Sequence, residues 1–145
     1  MKAPPSVLDL IATLVEQPPF SARETTRMTG VALTKDAERS NAAFDIYRAD
    51  NAKGPLSTIE VRQRVNPKPG KQGLVILEIS DTACISQEQV KTRFPEKADG
   101  LIGPTPHQPT DSPVYWTYKK SWGELRLGFA QTGNRCLVAV VLDGT

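Results

Sequence analysis

The C-terminal quarter of the chain alternates apolar and polar positions in three short runs. The runs are VYWTYKK, ELRLGFA and RCLVAVVL, and corners containing Gly, Asn and Ser separate them. Runs of this kind between turn residues are typical of an antiparallel meander of strands. Alternate residues of the first two runs form one apolar face, namely Val114, Trp116, Tyr118, Leu125, Leu127 and Phe129.

The beginning of the chain has helical spacing instead. Apolar residues recur three and four positions apart in residues 6–17, which predicts a helix with one buried face. Ser6 is expected to be its N-cap, and Pro18 is expected to end it. A second, short helix is predicted to begin with a capping box at Ser21 and to end at Gly30.

From residue 43 the apolar period changes to two, which predicts strands. Ile59, Val61, Gln63 and Val65 would share one face of a strand whose other face is solvated. Residues 74–79 are nearly all apolar and predict a central strand covered on both faces. Residues 34–42 are polar, and we expect a helical turn or a loop there.

One more helix and one long loop complete the pattern. Ser86 and Gln89 have the spacing of a capping box, which predicts a short helix that ends at Phe94 and Pro95. Residues 96–113 contain four prolines and predict a loop without secondary structure. Loops of this length are often functional, although this one could simply connect the helix to the sheet.

The order of predicted elements is helix, helix, three strands, helix, three strands. Runs of strands, rather than strict alternation with helices, are typical of the α+β class. We therefore predict an α+β fold with short N-terminal helices and one inserted helix. Its antiparallel sheet would have about six strands, and residues 1–145 would form one domain.

The composition argues against some classes of function. The chain has 145 residues, 39% of them apolar, and a formal net charge of +2. These values suit a globular protein with one core, and the small charge argues against a nucleic-acid partner. No apolar run approaches the roughly 20 residues that span a bilayer. The first residues, Met-Lys-Ala-Pro-Pro, lack the apolar segment of a signal peptide. We expect that a leader has been removed, although a cytosolic protein would begin in the same way.

The two cysteines, Cys84 and Cys136, lie far apart in the sequence. Each is predicted at the edge of a strand, where a disulfide could join neighbouring elements. The alternative is two buried free thiols, because cysteine is among the most buried residue types. A disulfide would indicate an oxidising compartment such as the periplasm.

No residue pattern predicts catalysis. The single histidine, His107, lies in the proline-rich loop, where a solvated side chain is the plainer interpretation and a base for a cysteine nucleophile the alternative. No cluster has the spacing of metal ligands, and no glycine-rich loop predicts a nucleotide or another cofactor. Residues 23–31 faintly resemble a helix-turn-helix, but residues 34–41 could not bury a third helix. We predict that the protein is not an enzyme and has no cofactor.

Binding to another protein remains as the main hypothesis. Trp122 is predicted at the tip of a hairpin, where it would be either an exposed interface anchor or folded back over the core. Trp, Tyr and Arg dominate interface hot spots, and lysines flank Trp122. The predicted partner-binding residues are Tyr115, Lys119, Lys120, Trp122, Arg126 and His107.

The organisation of residues 6–142 resembles that of the immunity proteins that protect bacteria from cell-wall amidase effectors of type VI secretion. Short helices come first and the sheet follows, with Cys84 before a capped helix and Cys136 in the last strand. The resemblance implies a periplasmic inhibitor that plugs the active-site cleft of a peptidoglycan hydrolase with its loops. Members of the class often act as dimers, so it also allows a homodimer. A small envelope lipoprotein or assembly factor is the alternative function.

Overall fold

The computed structural model describes residues 6–50, 54–80 and 82–145 of the chain. They form three helices and eight strands: α1 (Val7–Val15), α2 (Ala22–Thr29), β1 (Thr34–Lys35), β2 (Phe44–Asp50), β3 (Leu56–Arg64), β4 (Gly73–Ile79), α3 (Gln87–Arg93), β5 (Gly100–Ile102), β6 (Val114–Lys120), β7 (Gly123–Phe129) and β8 (Leu137–Gly144). The α+β class is therefore confirmed.

All eight strands belong to one antiparallel sheet, in the order β1-β2-β3-β4-β8-β7-β6-β5. The prediction of about six strands was too low. The two additional strands are β1, within residues expected to be a turn or loop, and β5, within the proline-rich segment. Both are very short edge strands, which have too few residues to show a period along the sequence.

The helix boundaries follow the capping residues. The Ser6 side chain accepts from the Asp9 amide at 3.1 Å, and the Ser21 side chain accepts from the Glu24 amide at 3.2 Å. Gly30 ends α2 with a left-handed φ of 72°. The capping box of α3 is complete, whereas Glu24 of α2 binds Arg27 instead of closing its predicted box.

The core lies on one face of the sheet, because one cluster joins apolar residues of α1 and α3 to alternate residues of the central strands. Each strand directs every second side chain to this face. The most deeply buried of these side chains are Ile11, Ile59, Val61, Val75, Leu77, Val90, Leu127, Val140 and Leu142.

The other face of the sheet, here called the open face, carries Glu60, Ile76 and Arg126, which are aligned with one another across the strands. Residues 74–79 were predicted to be covered on both faces, and this was wrong. Glu78 is exposed and Ile76 only half-buried, since all three helices pack on the core side. The prediction for Val65 was also wrong, because it follows the last residue of β3 and is exposed.

A disulfide between Cys84 and Cys136 joins the segment before α3 to the start of β8. Next to it, the Leu137 amide donates to the Ile85 carbonyl at 2.8 Å. The predicted disulfide is thus confirmed. The helix-turn-helix alternative fails, because the residues after α2 form β1 and turns instead of a third helix.

Candidate partner-binding surface

Two apolar side chains project from the edge strand β5. Leu101 is 69% exposed and Ile102 is 46% exposed. By register, Leu101 faces the core side beside Trp116, and Ile102 faces the open side beside Tyr115. Exposed large apolar side chains on both faces of a sheet edge are typical of interaction surfaces.

A cleft of about 310 Å³ lies beside Leu101, between β6 and the segment that follows α3. Phe94, Trp116 and Tyr118 contribute its aromatic lining. Trp116 also packs against Phe129 with 4.3 Å between ring centroids. Burial and the nearby charges of Glu96 and Asp99 raise the pKa of Tyr118, so its hydroxyl stays protonated at neutral pH. We call this space the β5 cleft.

Lysines surround the β5 cleft. Lys91 and Lys97 line it, and the Lys91 ammonium lies 5.7 Å from the centroid of the Trp116 ring. The cleft also holds Glu96, whose carboxylate binds Lys120 at 3.3 Å. Within the described part of the chain, neither Lys91 nor Lys97 has a carboxylate within 4 Å.

The proline-rich segment after β5, residues 103–113, folds into short turns. The backbone amide of Gln108 donates to the Thr105 carbonyl at 3.0 Å. The side-chain oxygen of Gln108 accepts from the backbone amide of Thr105 at 2.9 Å. From the turn between β7 and β8, the Gln131 side-chain amide donates to the carbonyls of Thr110 and Ser112 at 2.8 and 2.6 Å. His107 is exposed in this loop.

Trp122 is not an exposed anchor. Trp122 is only 7% exposed, and its Nε1 donates to the Val15 carbonyl at 2.9 Å. Its ring packs edge-on against Phe20, with 5.0 Å between the ring centroids. The alternative in which Trp122 folds back over the core is therefore correct. The prediction that Trp122 is a partner-binding residue is corrected accordingly. The aromatic ring closes the core beneath the end of α1.

The two neighbouring lysines differ in position. Lys120 binds Glu96, so it holds the segment after α3 against the sheet beside the cleft. Lys119 is exposed and belongs by register to the open face with Glu124, while its backbone amide donates to the Asp99 side chain at 2.6 Å.

Tyr115 and Arg126 lie on the open face, away from the cleft. Arg126 binds Glu124 at 2.7 Å and Asp143 at 2.9 Å. The Tyr115 ring covers Gly128, where an added Cβ would lie 2.6 Å from a ring carbon. Burial and the charge of Glu78 raise the pKa of Tyr115, so it is protonated at neutral pH. The six predicted residues do not converge on one surface.

No period or motif in the sequence identifies the apolar residues of β5 or the cleft beside it. One signal was present, because Leu101 and Ile102 form an apolar pair between Gly100 and Gly103 in a polar, proline-rich segment. Such a pair has no period and could equally be an apolar contact within a loop. Only the neighbourhood of Trp116 and α3 makes it part of a surface.

The described residues contain neither a grouped set of metal ligands nor a helix able to span a membrane. No three His, Cys, Asp or Glu side chains are grouped there as a metal site would require. None of the three helices has the length and apolar character needed to cross a membrane. The disulfide is compatible with a periplasmic or extracellular location.

Comparisons with protein-family models, with curated proteins and with solved structures found no match to this chain.

Proposed function

We propose that this protein is a non-enzymatic inhibitor, an immunity protein that binds and blocks a peptidoglycan-degrading amidase in the periplasm. The observation that carries the proposal is the exposure of Leu101 and Ile102 on an edge strand. Exposed apolar side chains at a sheet edge favour association with another chain. The binding surface would comprise β5, the β5 cleft and residues 103–113.

The construction of this surface fits an inhibitor. Gln131 and the local turns hold residues 103–113 in a defined shape, which reduces the entropy lost when a loop enters a partner's cleft. His107 and Lys120 remain part of the proposed surface, one in the loop and one beside the cleft. The disulfide supports a location where a cell-wall hydrolase acts.

The test is to co-express this chain with the product of each neighbouring reading frame and to assay those products for hydrolysis of peptidoglycan. We expect a stoichiometric complex and loss of hydrolysis of purified peptidoglycan. Ile102→Asp should weaken the complex about tenfold or more, because it places a charge where the complex would bury an apolar side chain. Val65→Asp is the matched control, since Val65 is also 46% exposed but follows β3, far from β5 in the strand order.

An active hydrolase that neither binds the chain nor is inhibited by it would refute the proposal. Equal weakening by Ile102→Asp and Val65→Asp would place the contact away from β5.

A further inference from the structure

In the described residues, β5 forms one edge of the sheet. β5 is the last strand of the sheet, and in the described residues its backbone hydrogen bonds join it only to β6. In an antiparallel pair, alternate residues direct their N–H and C=O groups away from the partner. Those outward groups of β5 are therefore available to an extended chain.

The β5 cleft determines which side chains such a strand should carry. A strand added outside β5 would place every second side chain on the same face as Leu101. The side chain beside Leu101 would then reach the cleft lined by Phe94, Trp116 and Tyr118, whose volume is about 310 Å³. An aliphatic or aromatic residue fits this apolar lining.

The charges around the cleft favour a partner segment with acidic side chains over a second copy of this chain. Lys91 and Lys97 line the cleft, and its glutamate already binds Lys120. Acidic side chains beside the apolar anchor would complement these two lysines. A second copy of this chain would instead bring another set of lysines to the same edge, which disfavours pairing between two β5 strands.

We propose that the partner contributes an extended segment that pairs with β5, places an apolar side chain in the β5 cleft and directs carboxylates to Lys91 and Lys97. This inference deepens the proposed function and rests on it for the partner's identity. The recognition itself is strand addition, in which backbone hydrogen bonds provide affinity and the cleft provides specificity.

The probe is a short peptide in which Leu is flanked by Glu two positions away on each side (Glu-Thr-Leu-Thr-Glu, the Leu/Glu peptides), because residues two apart lie on the same face of a strand. Peptides with Lys in place of both Glu residues (the Leu/Lys peptides) are the matched control. Calorimetry gives the Kd, and backbone amide shifts of the whole chain locate the site. We expect the Leu/Glu peptides to shift the β5 amides and to bind about threefold to tenfold more tightly than the Leu/Lys peptides. Methylating alternate backbone nitrogens of the peptide should weaken binding about tenfold, because it removes strand donors and keeps the side chains.

Variants of the chain provide the second arm. The double change Lys91→Glu and Lys97→Glu should reverse the peptide preference, and Leu101→Asp should abolish binding of both peptides. Val65→Asp should change neither result. Leu101 is largely exposed, so its variant should fold, and circular dichroism verifies this.

Equal affinity for the two peptides, unchanged affinity after N-methylation, or shifts confined to the open face would overturn strand addition at β5. Dimerisation of the free chain that Leu101→Asp abolishes would also overturn it, in favour of a second copy as the occupant. Failure to bind the hydrolase, with peptide pairing intact, would refute only the inhibitor function. A hydrolase complex that survives Leu101→Asp would refute only this inference.

Discussion

At the scale of single residues, Trp122 connects the turn between β6 and β7 to the N-terminal helical region. Its indole donates to the carbonyl of Val15 at the end of α1, and its ring packs against Phe20 in the connection to α2. A buried indole usually needs a hydrogen-bond partner for its N–H group. Here the partner is a carbonyl at a helix C-terminus, where the last carbonyls lack partners within the helix.

Replacing Trp122 with Phe should destabilise the protein by about 1–3 kcal/mol, because it removes the hydrogen bond to Val15 and leaves a small cavity. Urea unfolding followed by circular dichroism measures this change. Trp116→Phe is the matched control and should cost about 1 kcal/mol or less, since Trp116 is more exposed than Trp122 and its indole N–H has no hydrogen bond to lose within the described residues. If both variants lose equal stability, the Trp122 hydrogen bond contributes nothing measurable.

At the scale of elements, Glu60 joins three segments on the open face. It is 5% exposed, and its carboxylate binds Arg39 of the β1–β2 connection at 2.7 Å, Arg48 of β2 at 2.7 Å and Arg62 of β3 at 2.8 Å. Burial raises the pKa of Glu60, but the hydrogen bonds and charges of Arg39 and Arg62 bring it below its ordinary value of 4.5. The cluster therefore favours the ionised carboxylate in the folded state.

The protein should lose stability in acid through this group. Because the pKa of Glu60 is lower in the folded state than in the unfolded chain, its contribution is complete above pH 4.5 and is lost as the pH falls through the folded pKa. Glu60→Gln should cost about 2 kcal/mol at pH 7, since the guanidinium groups are about one-third exposed, and should flatten the acid limb of stability against pH.

Urea unfolding between pH 2 and 7 measures the effect of Glu60→Gln. The exposed Glu78 lies on the same face, and Glu78→Gln should change stability at pH 7 by no more than about 0.5 kcal/mol. An acid limb that is unchanged in Glu60→Gln would contradict the assignment.

At the scale of the whole molecule, the described residues form one sheet of eight strands, and their helices cover one face of it. The disulfide joins Cys84, before α3, to Cys136, before β8, and the chain between them contains α3, β5, β6 and β7. It encloses the strands that form the β5 cleft within a closed loop. Its loss should therefore affect the unfolded ensemble of this half of the chain most strongly.

Reduction, or the double change Cys84→Ser and Cys136→Ser, should lower the free energy of unfolding by about 4 kcal/mol in the chain-entropy model for a sequence separation of 52. Urea unfolding with and without reductant measures this, and the serine variant should not respond to reductant. Thiol alkylation without reductant should modify neither cysteine of the unfolded wild-type chain. Alkylation of both would show that the bond does not form in solution.

The sequence alone determined the α+β class, α1 and α2, the capping box of α3, and the two faces of β6 and β7. These features follow from local capping and from the period of apolar positions, which act over a few residues. For the two cysteines it left both a disulfide and two free thiols open, and the structure shows the disulfide. Only the tertiary structure decided that Trp122 is buried, that Leu101 and Ile102 are exposed, and that β1 and β5 extend the sheet. Burial depends on which distant segments pack together, and neither a short edge strand nor an uncovered face has a local pattern that identifies it.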